Sequence, residues 1–154
     1  VTVTNLQSLA SSATVGWQSG RISNISTKAI DYNIFVKLTT ANTAPANDKL
    51  MYVYISPAMS TNGGTTWLQT DQGTGTLPTG TEGASTIASP NSLKLLGTLP
   101  YTTQQMVCQN HFSLSNAVGM SMPEGFSIII INYSGAALST SCVVAYEAIT
   151  ATVA

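Results

Sequence analysis

The sequence holds one histidine, His111, and two cysteines, Cys108 and Cys142. His111 follows Cys108 by three residues. On a strand that spacing sends the two side chains to opposite faces, so their shared element does not by itself pair a thiol with an imidazole base. No acid and no second histidine flanks His111 at metal-ligand spacing, and it reads as a surface or interface histidine with no metal site. The six acids, Asp31, Asp48, Asp71, Glu82, Glu124 and Glu147, are dispersed. Two of them meeting in space would make a glycosidase-type pair, but nothing in their spacing selects two. Glu147 is the odd one, set among Val143, Ala145, Ile149 and Ala151 on one strand face. It either needs a cationic partner such as Arg21 or a Lys, faces a subunit boundary, or marks a sheet edge. Gly73 and Gly75 do not follow a strand and open a helix, so no phosphate cradle is indicated. The reading is a protein that is not an enzyme, with no catalytic residues and no cofactor.

Composition points the same way. Five Lys or Arg and six Asp or Glu in 154 residues make 7% charged, against roughly 25% in an ordinary soluble domain. Ser and Thr number 40. A surface wetted by hydroxyls has little like-charge repulsion and suits a protein packed against other protein. Arg21, Lys28, Lys37, Lys49 and Lys94 are scattered, which argues against a nucleic-acid partner. The apolar runs, such as Ile128 to Ile131, are strand-sized and far below the ~20 residues of a membrane helix. Cys108 and Cys142 are either two buried thiols or a single bridge, since bridging depends on distance and not on spacing. Asn24 and Asn132 match the glycosylation pattern, as chance allows in a chain so rich in Ser and Thr. Trp17, Trp67, Tyr101 and Tyr133 are candidate contact residues for glycan or protein, Trp67 foremost. Tyr32, Tyr52 and Tyr54 read as core or sheet-face residues.

The periodicity is that of strands. Ile30, Tyr32, Ile34, Val36 and Leu38 share one face, with Asp31, Asn33 and Lys37 on the other and Phe35 an exception. Leu50 to Ile55 is apolar on both faces, which predicts a central strand. Further strands are predicted at Met106 to Leu114, Phe126 to Tyr133, Val143 to Val153, Ala13 to Gln18 and Leu93 to Leu99. An eighth is placed near Arg21 to Ser26 or Thr65 to Gln69, and a single helical turn at Ser115 to Met120. The expectation is one domain over residues 1–154. It is all-β: an antiparallel, jelly-roll-like β-sandwich of seven to eight strands. Residues 58–92, dense in Gly, Thr, Ser and Pro, read as one long loop, with a short hairpin around Trp67. Residues 1–12 read as an N-terminal arm that docks elsewhere.

Three segments carry a family likeness. They are Ser11 to Ser19 leading into Trp17; Ala41 to Lys49 followed by Leu50-Met51-Tyr52-Val53-Tyr54; and Leu96 to Pro100 onward to Met122-Pro123-Glu124-Gly125-Phe126 and Ile131 to Leu138. In these the chain resembles the capsid decoration, or cement, proteins of tailed bacteriophages. The resemblance implies a sandwich subunit on the outer surface of the virion, assembled as a homodimer or homotrimer. It also implies that the subunit clamps neighbouring copies of the major capsid protein. It supplies no catalytic residue. On this reading residues 1–12 and 58–92 carry most intersubunit or capsid contacts, and deleting Thr61 to Ser85 leaves the sandwich folded but abolishes capsid binding. The competing reading is a glycan- or receptor-binding module of a phage fibre or adhesin that works through Trp67.

Overall fold

The computed structural model describes residues 1–46, 49–69, 79–87, 89–119 and 121–151. Asp48, Asp71, Gly73, Gly75 and the end of the last expected strand at Val153 lie outside them. The elements in chain order are β1 (Val15–Gln18), β2 (Ile22–Ser23), β3 (Asp31–Thr39), β4 (Leu50–Ser60), β5 (Trp67–Gln69) and β6 (Gly83–Thr86). After a 3-10 turn at Pro90–Ser92 come β7 (Lys94–Pro100), β8 (Val107–Ser113), α1 (Leu114–Val118), β9 (Gly125–Tyr133) and β10 (Val143–Ile149). The fold is all-β, and its strands form an antiparallel sandwich of two sheets.

The larger sheet is built on β4 and β9, which pair in unbroken register from Leu50↔Tyr133 to Ala58↔Gly125. The other side of β4 takes β7 along its first half and β5 along its tip. The other side of β9 takes β1 and β2, and β6 closes the sheet on β1. The smaller sheet runs β10-β3-β8. Its central strand keeps the expected period of two: Tyr32, Ile34, Val36 and Leu38 point inward. They meet Met51, Val53 and Ile55 of β4 and Phe126, Ile128 and Ile130 of β9. Tyr32 and Phe126 join the layers edge to face, 5.0 Å between centroids. Ile30 falls just outside β3 and is exposed, since its alternation ends where the strand does.

β9 is buried on both faces, which explains four consecutive isoleucines. Ile128 and Ile130 enter the main core, while Ile129 and Ile131 are covered from outside by Ile87 and Leu93. The helical turn is one short helix. Ser113 caps it by accepting from Asn116 N–H, and Gly119 ends it in the left-handed region at φ 61°.

Three expectations are corrected. Among the described residues ten strands are present where seven or eight were expected. Both places offered for the eighth hold one, β2 and β5, and β6 is the strand not expected; the three have two to four residues and draw their order from their partners. The 58–92 segment is not one loop among its described residues. It contains the end of β4, the expected hairpin with β5, and β6. Deleting Thr61 to Ser85 would take out β5 and all of β6 but Thr86, so the segment is part of the large sheet and not an appendage to it. The N-terminal segment does not reach away from its own domain. Leu6 and Leu9 are core residues, and Leu9 C=O accepts from Leu138 N–H and from Asn132 Nδ2.

Glu82 ties that segment down. Its carboxylate accepts from Asn5 N–H and Asn5 Nδ2 at 2.7 Å, and from the Trp17 indole N–H at 2.6 Å. Partial burial pushes this carboxyl up, but the hydrogen bonds outweigh it and hold it below its ordinary value. Asp31 behaves alike, held low by Ser115, Ser113 and Tyr32 against the same desolvation. Both carboxyls titrate lower in the folded state. Their contribution is therefore complete above the unfolded-state value and is lost as pH falls through the folded one. Thermal melting followed across acid pH should show stability dropping through and below the usual carboxylate range, and Glu82→Gln should flatten that limb. An unchanged acid limb in Glu82→Gln would remove Glu82 as its source.

Candidate functional site

The residues with chemical potential are spread over the outer face of the small sheet. His111 stands opposite Phe35, ring centroids 4.9 Å apart, with its Nδ1 3.2 Å from Asn33 Oδ1. Ser113 Oγ donates to Asp31 Oδ2 at 2.7 Å, and Asp31 also accepts from Ser115 N–H, so this carboxylate sits at the start of α1 as a helix cap. Glu147 pairs in register with Asn33 on the edge strand β10 and is exposed. That is the edge position among its three readings, and no buried partner is involved. A shallow depression of about 250 Å³ joins His111, Asp31, Ser113 and Glu147. Ser113 is bonded to Asp31 and His111 to Asn33, so no hydroxyl–imidazole–carboxylate relay connects them. Among the described residues no cluster of His, Cys, Asp or Glu could hold a metal ion. No described helix is long and apolar enough to cross a membrane.

Cys108 pairs with Leu38 on one side, and Cys142 follows the β10 register to the other side of Leu38. Two strand spacings, about 9.6 Å, separate them, beyond the roughly 7 Å that a bridge spans. Both are buried free thiols, and burial pushes both up in pKa. Asn24 and Asn132 are buried as well. Asn24 bonds the backbone of Ala29 and Asn132 that of Leu9 and Ala136, so neither offers its amide to glycosylation.

Two candidate contact residues are withdrawn. Trp17 and Tyr101 are fully buried: Trp17 fills the core and donates to Glu82, and the Tyr101 hydroxyl donates to Thr43 C=O. A lone aromatic in a short alternating strand reads the same from either face, which is why residue type did not separate them from surface contacts. Trp67 is half-buried and has structural partners. Its ring lies so close over Gly125 that any Cβ there would come within 2.5 Å of it. Arg21 covers the ring at 4.9 Å, and the indole N–H donates to Gly64 C=O. Arg21 also donates to Gln69 Oε1, and Gln69 Nε2 donates to Ser127 Oγ and Ser56 C=O. This lock pins β5 to the outer face of β9.

Two apolar features remain accessible. At the β4–β5 tip Met59 and Leu68 pair across the strands, 56% and 52% exposed. With Pro57, Met122 and Pro123 they line an open groove of about 640 Å³. Its carboxylate, Glu124, is engaged by Ser60 N–H at 2.6 Å. The second is a cleft of about 320 Å³ on the outer face of the large sheet, floored by Tyr52, Tyr54, Ile131 and Tyr133. Of its residues the sequence reading singled out Tyr133 as a contact candidate and Tyr52 and Tyr54 as sheet-face or core. Their convergence depends on the β4–β9 register. Comparison with known proteins finds no matching family model, no similar curated protein and no similar solved structure.

Proposed function

We propose that this chain is a structural virion protein. In this reading it decorates and stabilises a tailed-bacteriophage capsid from outside, clamping major capsid subunits as a homodimer or homotrimer. The observation that carries the reading is the placement of exposed apolar side chains on several sides of one small domain. Met59 and Leu68 stand at the tip, Leu95 on β7, Val107 on β8, and Val143, Tyr146 and Ile149 along β10. Among these, Met59 and Leu68 adjoin each other across the β4–β5 strands, and a contiguous apolar patch of this kind marks a surface covered by another protein. The edge of β10 adds support: it has no Lys and no Pro, and Glu147 is its one charge, so little guards it against pairing with another chain. Low charge density keeps repulsion small when copies crowd on a shell.

Light scattering of the purified protein should show a stable dimer or trimer, and the protein should cosediment with expanded heads. The double variant Met59→Asp/Leu68→Asp is expected to lower head binding about a hundredfold, as loss of two apolar anchors implies, with little change in melting because both side chains are exposed. A monomer that ignores expanded heads would overturn the reading. Wild-type binding by the double variant would remove the tip from the capsid contact.

A further inference from the structure

The outer face of the large sheet is covered at one end by the Arg21–Trp67–Gln69 lock and in its middle by Ile87 and Leu93. Beyond them it presents an aromatic floor. Tyr52 and Tyr54, two residues apart on β4, lie side by side with centroids 6.2 Å apart and planes inclined by only 23°. Tyr133, at the end of β9, continues the floor beside Ile131, and Ala13 and Pro90 rise from it as walls. Thr98 pairs in register with Tyr52 from β7, and its side chain is exposed. Among the described residues, no charged side chain and no histidine lines the cleft.

We propose that this cleft binds a neutral carbohydrate, with pyranose faces laid on Tyr52 and Tyr54 and the chain continuing toward Tyr133. This proposal is independent of the capsid reading. A pyranose has an apolar C–H face that a flat aromatic ring can cover, and a rim of hydroxyls that neutral groups and water can satisfy. The floor supplies nearly parallel rings, both packed against the cluster of Ile87, Leu93, Ile129 and Ile131, so little ordering is needed on binding. Thr98, in register with Tyr52 on the neighbouring strand, supplies an exposed hydroxyl on the same sheet face. The uncharged lining offers nothing to repay desolvation of an ionic ligand. A peptide joining the sheet as a strand is disfavoured, because β4 is already paired on both sides at Tyr52 and Tyr54.

The test is a neutral-glycan array probed with the wild-type chain. Each hit is then titrated in solution and mapped by saturation-transfer NMR. The hits should bind through their ring C–H protons. Tyr54→Ala and Tyr133→Ala should each weaken binding about tenfold. Trp67→Phe should leave binding unchanged. Tyr54→Phe and Tyr133→Leu, which preserve apolar bulk, guard against a folding failure: Tyr54→Phe should retain binding, and Tyr133→Leu should weaken it at an unchanged melting temperature. Absence of any array or NMR hit would overturn the proposal. So would hits indifferent to the tyrosine substitutions, or selective binding of a proline-rich peptide instead. Failure here leaves head binding through the tip untouched, so the two readings fail separately.

Discussion

Trp17→Ala is expected to destabilise the protein by about 3–5 kcal/mol, the usual range for emptying a fully buried aromatic site. The side chain is fully inaccessible, and its indole N–H is one of the donors holding Glu82. Alanine would leave a cavity between the sheets, and the carboxylate that also anchors Asn5 would lose its shortest hydrogen bond. Urea unfolding followed by far-UV circular dichroism measures the loss. Trp17→Phe separates the two contributions, since it keeps most of the volume and deletes only the hydrogen bond. It should cost clearly less than alanine. A loss under about 1 kcal/mol for Trp17→Ala would be incompatible with a core tryptophan.

The second large effect is expected from Asn132→Asp, a change of almost no volume. Asn132 is fully buried and uses both ends of its amide. Nδ2 donates to Leu9 C=O and Ala136 C=O at 3.1 and 2.7 Å, and Oδ1 accepts from Ser134 Oγ at 2.6 Å. An ionised aspartate would turn oxygen toward two carbonyl oxygens, and a protonated one could serve only one of them. The expected loss at neutral pH is about 3 kcal/mol or more, from a buried carboxylate set against two carbonyl oxygens in place of two donated hydrogen bonds. The sign of its pH dependence is opposite to that of Glu82. Burial against carbonyls raises the folded-state pKa of the new carboxyl, so the variant should recover part of its stability on acidification to near pH 4. Limited proteolysis should find residues 1–12 cut faster than in wild type, because Asn132 holds that segment through Leu9. Equal cleavage and an unchanged unfolding midpoint would dismiss the amide as a structural clasp.

How far these features were legible in the sequence depends on how many residues report on each. β3 has four inward side chains with polar alternates, so its direction and facing follow from pattern alone. β4 and β9 are apolar on both faces, which marks them as central, and each is indeed paired on both sides. β2 (Ile-Ser), β5 (Trp-Leu-Gln) and β6 (Gly-Ala-Ser-Thr) carry two to four residues of mixed type, too few for any period. They are strands because β9, β4 and β1 present edges to them. Trp17 and Tyr101 show the limit for side chains: an amphipathic ring suits a core and a contact surface equally, and only the register decides. The tyrosine cleft was half visible. Tyr52 and Tyr54 share a strand face by spacing alone, but Tyr133 reaches them only through the pairing of Leu50 with Tyr133, across a separation no local signal spans. The glycan reading thus moves from Trp67, held in place by Arg21 and Gly125, to three tyrosines that the sequence scattered.

The central place of β9 also governs how the chain can reach this structure. The strand begins at Gly125, yet it supplies the seam for β1, β2 and β4, and Ser19 meets Ile128 across 109 residues of sequence. Until β9 has been synthesised, β1 and β2 have no link to β4, and the large sheet exists only as separate fragments, β1 with β6 and β4 with β5 and β7. Folding must then be a late, concerted event of high contact order, on the order of milliseconds to seconds and not microseconds. During that interval unpaired, nearly uncharged strands are open to their neighbours. Each chain depends on completing itself quickly before it meets another unfinished copy.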